Sequence, residues 1–484
     1  MPLTVTDEFG QTTKTEYNDA LLRPTKVFGL NFTAPITETI YDDTNLWVKV
    51  RGQIDASNWT EATAFADGLG RTIKTQAKDS QGDVFVETKY DQMGRVKQVS
   101  NPYRAGETLL WSKPRYDELG RAVESFAPAI DGQTGASLGI TSYSISTVAN
   151  YIGTAVTATD ASGRKSRSIT NALGQLTRVD EATGTGGTAD ADLGTLTNPT
   201  QPTYYSYSPL GKMVKVEQGG QTRYFKYDSL GRLIRVRQPE QQINTALNLA
   251  DSYNTSGQWT AAFSYDVFGN VLTATDAKGV TITNSYDKAS RVKTRSYSGE
   301  PSGQTTPSVS FYYDGKGLAS QQSPNYAKGK LTKVTSSVSE SRYTLFDNLG
   351  RITQSQQITD GQTYTSGYQY NLSGALIQET YPSGRVVKNE FEADGDLARI
   401  FGKANASATE KTYANGFSYT ADGKIQRLRL GNGRWESAKF NERLQVTELA
   451  LGASNGNGGL WKLNYEYGEL NTDGVTVNTA KNTG

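Results

Sequence analysis

Gly452-Ala453-Ser454-Asn455-Gly456 matches the pattern that presents a nucleophilic serine on a sharp turn between a strand and a helix. Such a serine needs a base to take its proton, normally a histidine, and the 484-residue chain contains no histidine. The pentapeptide also lies in an Asn/Gly/Ser-rich stretch, so it reads as a turn. Cysteine is absent too, which excludes disulfides, zinc-thiolate sites and thiol redox chemistry. Gly184-Thr185-Gly186-Gly187-Thr188-Ala189 fits a relaxed dinucleotide fingerprint, but its flanks are polar loop where an apolar strand and a helix are required. Carboxylates remain, and a pair of them is enough for glycosidic cleavage. Asp190/Asp192 and Asp394/Asp396 could touch Ca²⁺, yet neither pair sits in a full oxygen-ligand loop. Asn31-Phe32-Thr33 and Asn58-Trp59-Thr60 are glycosylation triplets only if the chain passes through a glycosylating compartment. No enzymatic activity, cofactor or metal is expected.

Most aspartates have a different use, because they recur in one short phrase. Tyr90-Asp91-Gln92-Met93-Gly94-Arg95 returns as Tyr116-Asp117-Glu118-Leu119-Gly120-Arg121 and as Tyr227-Asp228-Ser229-Leu230-Gly231-Arg232. Looser copies are Phe346-Asp347-Asn348-Leu349-Gly350-Arg351, Tyr265-Asp266-Val267-Phe268-Gly269-Asn270 and Tyr286-Asp287-Lys288-Ala289-Ser290-Arg291. Asp67-Gly68, Asp394-Gly395 and Asp422-Gly423 are further turn candidates. Within the phrase, the aspartate can accept backbone N–H bonds two residues on, and the glycine tolerates a positive φ. The arginine can pair with an aspartate or lie over a tyrosine ring, a contact worth about 0.5–1 kcal/mol when exposed.

The elements that hold these turns follow from the spacing. Tyr207 to Tyr227 is 20 residues, and Tyr265 to Tyr286 and Tyr370 to Phe391 are 21 each. That length suits two strands and two turns. After Gly-Arg the chain alternates, as in Leu233-Ile234-Arg235-Val236-Arg237, and before it runs aromatic, as in Tyr224-Phe225-Lys226-Tyr227. Repeats dictate architecture before single residues dictate chemistry. The expected fold is all-β: tandem hairpins zipped into one continuous curved antiparallel sheet, with tyrosines in ladders across neighbouring strands. The array is expected to span residues 1–484 as one unit, with loop insertions near 131–149, 181–202 and 240–258, the last holding a short helix over 241–250.

Composition agrees with a thin wall. Apolar residues make up 36% with tyrosine counted, and mean hydropathy is −0.57. The 28 Tyr, 15 Phe and 6 Trp argue against disorder. A solid globule of this size would bury a larger aliphatic core, whereas a sheet wet on both faces needs less, and tyrosine packs its ring while its hydroxyl stays solvated. A net charge of +1 gives no electrostatic support for nucleic-acid binding. No stretch approaches the roughly 20 apolar residues of a membrane span, and no signal peptide is visible. Residues 3–10 read like the middle of a repeat and the last seven residues carry no terminating element, which predicts a fragment of a longer polypeptide. Unpaired strand edges at its ends would invite end-to-end association.

Tyr-Asp-x-x-Gly-Arg at this spacing resembles the Rhs/YD-repeat family, which includes bacterial rearrangement-hotspot and wall-associated proteins, the C component of insecticidal toxin complexes, and teneurins. The resemblance runs from about Tyr17 to Tyr467 and takes in Tyr381-Pro382-Ser383-Gly384-Arg385 and Leu463-Asn464-Tyr465-Glu466-Tyr467. It implies a ribbon spiralling into a hollow β-shell, which in bacterial members encloses a C-terminal toxin, and a secreted or cell-surface location. Members that free the toxin by self-cleavage do so at an Asp-Pro-rich box, and no Asp-Pro dipeptide exists here. The expected function is a non-catalytic shell segment of a polymorphic toxin, with toxin cargo or the remaining shell as partners. The alternative is a cell-surface adhesion or carbohydrate-binding module that meets glycans or proteins through exposed tyrosine and arginine.

Overall fold

The computed structural model describes residues 3–6, 12–29, 34–128, 143–161, 163–183, 187–318, 326–441, 443–470 and 477–482. One sheet of 37 strands runs from Thr4–Thr6 to Trp461–Asn464, and its pairings are antiparallel throughout. Strands pair with their sequence neighbours in a meander. The exception is the two-residue strand Tyr103–Arg104, which folds back on Gly82–Tyr90. A separate two-stranded sheet pairs Gly468–Leu470 with Val477–Asn482.

The two rims of this ribbon differ. One carries the Asp-x-x-Gly turns, and nearly every hairpin there has a register shift beside the motif aromatic, as between Lys89 and Tyr90, Arg115 and Tyr116, or Lys226 and Tyr227. Such bulges bend a strand and increase its twist, so a repeated bulge on one rim curls the ribbon. The other rim carries tight two-residue turns, such as Gly219-Gly220 with φ of +55° and +82°, together with the longer loops.

The curl brings the ribbon back to itself. The Leu372 N–H donates to the Ile54 carbonyl at 2.8 Å, Asp396 accepts from the Ser80 N–H at 3.1 Å, and Arg443 Nε donates to the Pro128 carbonyl at 2.7 Å. These partners lie 318, 316 and 315 residues apart. Each contact seats a motif-type turn of the later strands on the loop rim of the earlier ones, so the sheet is a spiral wall with a turn of about 316 residues. Twenty-four strands, Trp59–Ala66 through Gln362–Tyr370, separate Ile54 from Leu372. Tyr103–Arg104 adds no position of its own, so at about 4.8 Å per strand the circumference is at least roughly 110 Å, or roughly 35 Å across.

Burial fits a single layer. The chain exposes 27233 Å² at a mass of 52.6 kDa. A compact monomer of that mass would expose roughly 17,600 Å². The fully buried side chains collect where something lies against the sheet. Ile54 is covered at the seam between turns. Leu193 and Trp259 belong to the loops that precede the strands Gln201–Tyr207 and Ala261–Tyr265, and both are buried.

Those loops fall within two of the expected insertions. Of the first insertion, 131–142 lies outside the described residues, while 143–149 belongs to the strand Tyr143–Ile152. In the second, the four-residue helix Asp190–Leu193 folds over the sheet. In the third, the expected helix over 241–250 shrinks to the 3₁₀ turn Thr245–Leu247, because the segment is fixed by tertiary partners rather than by helical bonds. Trp259 is fully buried beneath it and donates its indole N–H to the Leu249 carbonyl at 2.9 Å.

Candidate functional site

The repeated turn is the structural site of this molecule, and its geometry is the same from copy to copy. In Asp91–Arg95 one carboxylate oxygen accepts from the backbone N–H of Met93 and of Arg95, both at 2.9 Å. The other accepts from Arg95 Nε at 2.8 Å, and the Gly94 N–H donates to the Asp91 carbonyl at 3.0 Å. Asp117/Arg121, Asp228/Arg232 and Asp347/Arg351 repeat these bonds within 2.6–3.0 Å. Gly94, Gly120, Gly231 and Gly350 have φ between +72° and +80°, the left-handed region where a side chain is strained.

Each arginine then reaches out of its own turn. Arg95 lies over the Tyr116 ring at 4.5 Å, Arg71 over Tyr90 at 4.5 Å, Arg232 over Tyr265 at 4.8 Å and Arg351 over Tyr370 at 4.9 Å. The covered tyrosine hydroxyl donates back to the residue after that arginine: Tyr90 to the Thr72 carbonyl, Tyr116 to Val96, Tyr265 to Leu233. Arg232 and Arg351 also donate Nη1 to the carbonyls of Asp266 and Asn371, the turn residues of the following unit. The strap ends at the next glycine, where a Cβ on Gly94 would lie 3.3 Å from Arg71 Nη1. Glycine therefore relieves the strain of that φ and, at Gly94, leaves room for the arriving cation.

Sequence reasoning offered the arginine an aspartate or a ring; in the structure it holds both at once. The expected tyrosine ladder is an interleaved one, Asp–Arg–Tyr–Asp–Arg–Tyr, so the rings are separated by guanidinium planes. Tyr227 departs from the pattern because the unit before it ends in Lys212. Burial pushes its phenol up, and the Lys212 stem lies 2.9 Å from where a Gly231 Cβ would be.

Electrostatics follow the bonding. Desolvation raises Asp91 and Asp117, but the Arg95 and Arg121 N–H groups and guanidiniums outweigh it and hold both carboxyls below the usual range. The Arg232 backbone N–H does the same for Asp228. Arg23 beside Asp19 brings that carboxyl down to about 2.

Uncharged copies escaped sequence reasoning. Asn171-Ala172-Leu173-Gly174-Gln175 builds the same turn, and so do Asn441, Arg443, Leu444 and Gln445, with the asparagine amide donating to the glutamine carbonyl at 2.8 and 2.9 Å. A pattern written as Asp or Asn, then Arg, Gln or Asn four residues later, would have found them.

The other candidates have plain places. Ser454 lies in a loop between the strands Val446–Gly452 and Trp461–Asn464. Residues 184–186 of the dinucleotide-like stretch and the triplet at 31–33 are outside the described residues. Asn58 closes a turn on Asp55 at the seam. Asp192 caps the Ala189 N–H, and Asp396 spans the seam. Among the described residues no group of three or more His, Cys, Asp or Glu could hold a metal.

An all-β spiral wall of bulged hairpins defines the fold class to which solved structures can be compared. The chain is similar to the crystal structure of TcdB2-TccC3, with a TM-score of 0.73 and 14% identity over 96% of this chain and 28% of that one. It matches TcdB2-TccC3 without its hypervariable C-terminal region at 0.74 and 13%, with the same coverage. The Photorhabdus luminescens Tc holotoxin pore matches at 0.68 and 14%, over 87% of this chain and 22% of that one. The chain thus spans between about a fifth and three tenths of the solved chains it resembles. No protein-family model and no curated protein matches it.

Proposed function

We propose that this chain is a non-catalytic wall segment of a toxin-enclosing shell, its cargo a polypeptide held inside the spiral. The observation that carries the reading is the excess surface: a wall that exposes about half as much area again as a compact monomer encloses space rather than filling it. The likeness in fold to toxin-complex chains supports the kind of content. The same likeness in fold supports secretion or surface display as the route of delivery. Among the described residues no helix is long and apolar enough to cross a membrane. Electron microscopy of the chain should resolve rings with an empty centre. Joined to its cargo in the full polypeptide, the chain should leave that cargo resistant to a protease that digests it when free. Rings with a filled centre, or cargo cut equally fast in both settings, would overturn the proposal.

A further inference from the structure

The seam between turns uses a small part of each rim. The motif-type turns from Asn371 to Gln445 sit on the loop rim between Ile54 and Pro128. The motif rim from Asp19 to Arg351, about one full turn, has no ribbon on it among the described residues, and neither does the loop rim from Asp160 onward. At the seam, the third turn position is polar and mostly part-covered, as at Asp394, Asp422 and Arg443, while Ser373 stays exposed. On the free rim the same position carries large apolar groups held out into water: Leu69, Met93, Leu119, Leu173, Leu230 and Phe268 are 74–82% exposed. Motif turns recur every second strand, so these groups form a row spaced roughly 10 Å apart where the hairpins are regular. A row of exposed apolar groups repeated along one rim, rather than scattered singly, is the kind of surface that interactions use. Leu349, near the end of the free rim, is already half-buried. The free loop rim carries exposed apolar groups of its own, Val338 and Leu460.

We propose that the free motif rim is a docking surface for the free loop rim of a second copy of this chain. Continuity with the internal seam argues for this occupant: the docking already happens within one chain, between these same two kinds of rim, and both continue unused on either side. The contact is head to tail, so it does not close, and copies stack along the spiral axis into open-ended assemblies. Ring-on-ring stacking is distinct from pairing of strand edges at the chain ends. It also stands apart from the cargo reading, which concerns the lumen.

Sedimentation velocity across a concentration series tests the proposal. The unaltered chain should grow with concentration. L119D/L230D, at two exposed turn tips, should break the motif rim, and V338D/L460D should break the loop rim. Each alone should remain monomeric, with association weakened at least about tenfold. Mixed, they should form dimers and nothing larger, because each supplies the rim the other lacks. Thermal melts matching the unaltered chain check that both variants fold. Three results would overturn the proposal: an unaltered chain that stays monomeric at high concentration, growth that persists in both variants, or V338D/L460D dimerising alone, which would mean that like rims meet.

Discussion

A carboxylate held by two backbone N–H groups and a guanidinium is a small machine for making one shape of turn. Its strength shows where the glycine is missing, since Ser290 and Leu444 accept φ of +58° and +62° at that position. The clamp sets the backbone, and glycine removes the strain. Gly231→Val adds a β-branched side chain at φ +75° and is expected to cost on the order of 1–3 kcal/mol, read from denaturant unfolding. Acidity should act on every copy together. The turn aspartates have folded pKa values below their unfolded value of about 4, so their contribution is complete above that value and is lost as pH falls through the folded ones. Melting temperature should therefore drop between pH of about 4 and about 2, the value for Asp19. With no histidine it should stay nearly flat from about pH 5 to 8. On the alkaline side, burial pushes Tyr103 and Tyr419 up to about 12, so stability should fall as pH rises from about 10 toward that value. At this scale the sequence was informative, because Tyr, Asp, Gly and Arg each have few reasons to keep such spacing. The neutral copies are harder to read because an Asn–Gln pair closes the turn without the Asp and Arg that mark the others.

The hairpin is where legibility becomes uneven. Strand alternation and turn chemistry are local, so both could be read from Leu233–Arg237 and its neighbours. The bulge beside each motif aromatic could not, since nothing in Lys226-Tyr227 marks a residue that will go unpaired. The insertions were harder still. Asp180 is fully buried in the strand Leu176–Glu181, with Arg167 at 2.6 Å and Arg178 at 2.8 Å. Arg167 also donates to the carbonyls of Leu193, Gly194 and Thr195, which fastens the short helix to the sheet. These partners are 13 to 28 residues from Arg167, and none belongs to the repeat. Asp180→Ala leaves that arginine buried without its counter-ion and is expected to cost about 3–5 kcal/mol, measured as a shift in the unfolding midpoint. Protease sensitivity around 187–200 should rise with it.

Taken whole, the molecule is long in one direction of bonding and sparsely joined in the other. Curvature is the sum of many bulges, and where the ribbon meets itself depends on that sum, so no local pattern announced the 316-residue offset. Asp396 holds Ser80 through both its N–H and its hydroxyl, the latter at 2.7 Å. Asp396→Ala should speed amide exchange at Ser80 and Gln81 while the adjoining ladder bonds exchange as before, which mass-spectrometric hydrogen exchange can follow. Equal acceleration along the ladder would mean the seam and the hairpins open as one unit.

The seam also sets how such a wall fails under load. Ladder bonds run from strand to strand around the ring, whereas among the described residues adjacent turns are stitched at scattered turn tips. Pulled from its two ends, the chain should come apart as a coil spring does, the stitches parting first and the band unspooling with every hairpin still intact. A wall built this way opens along one line.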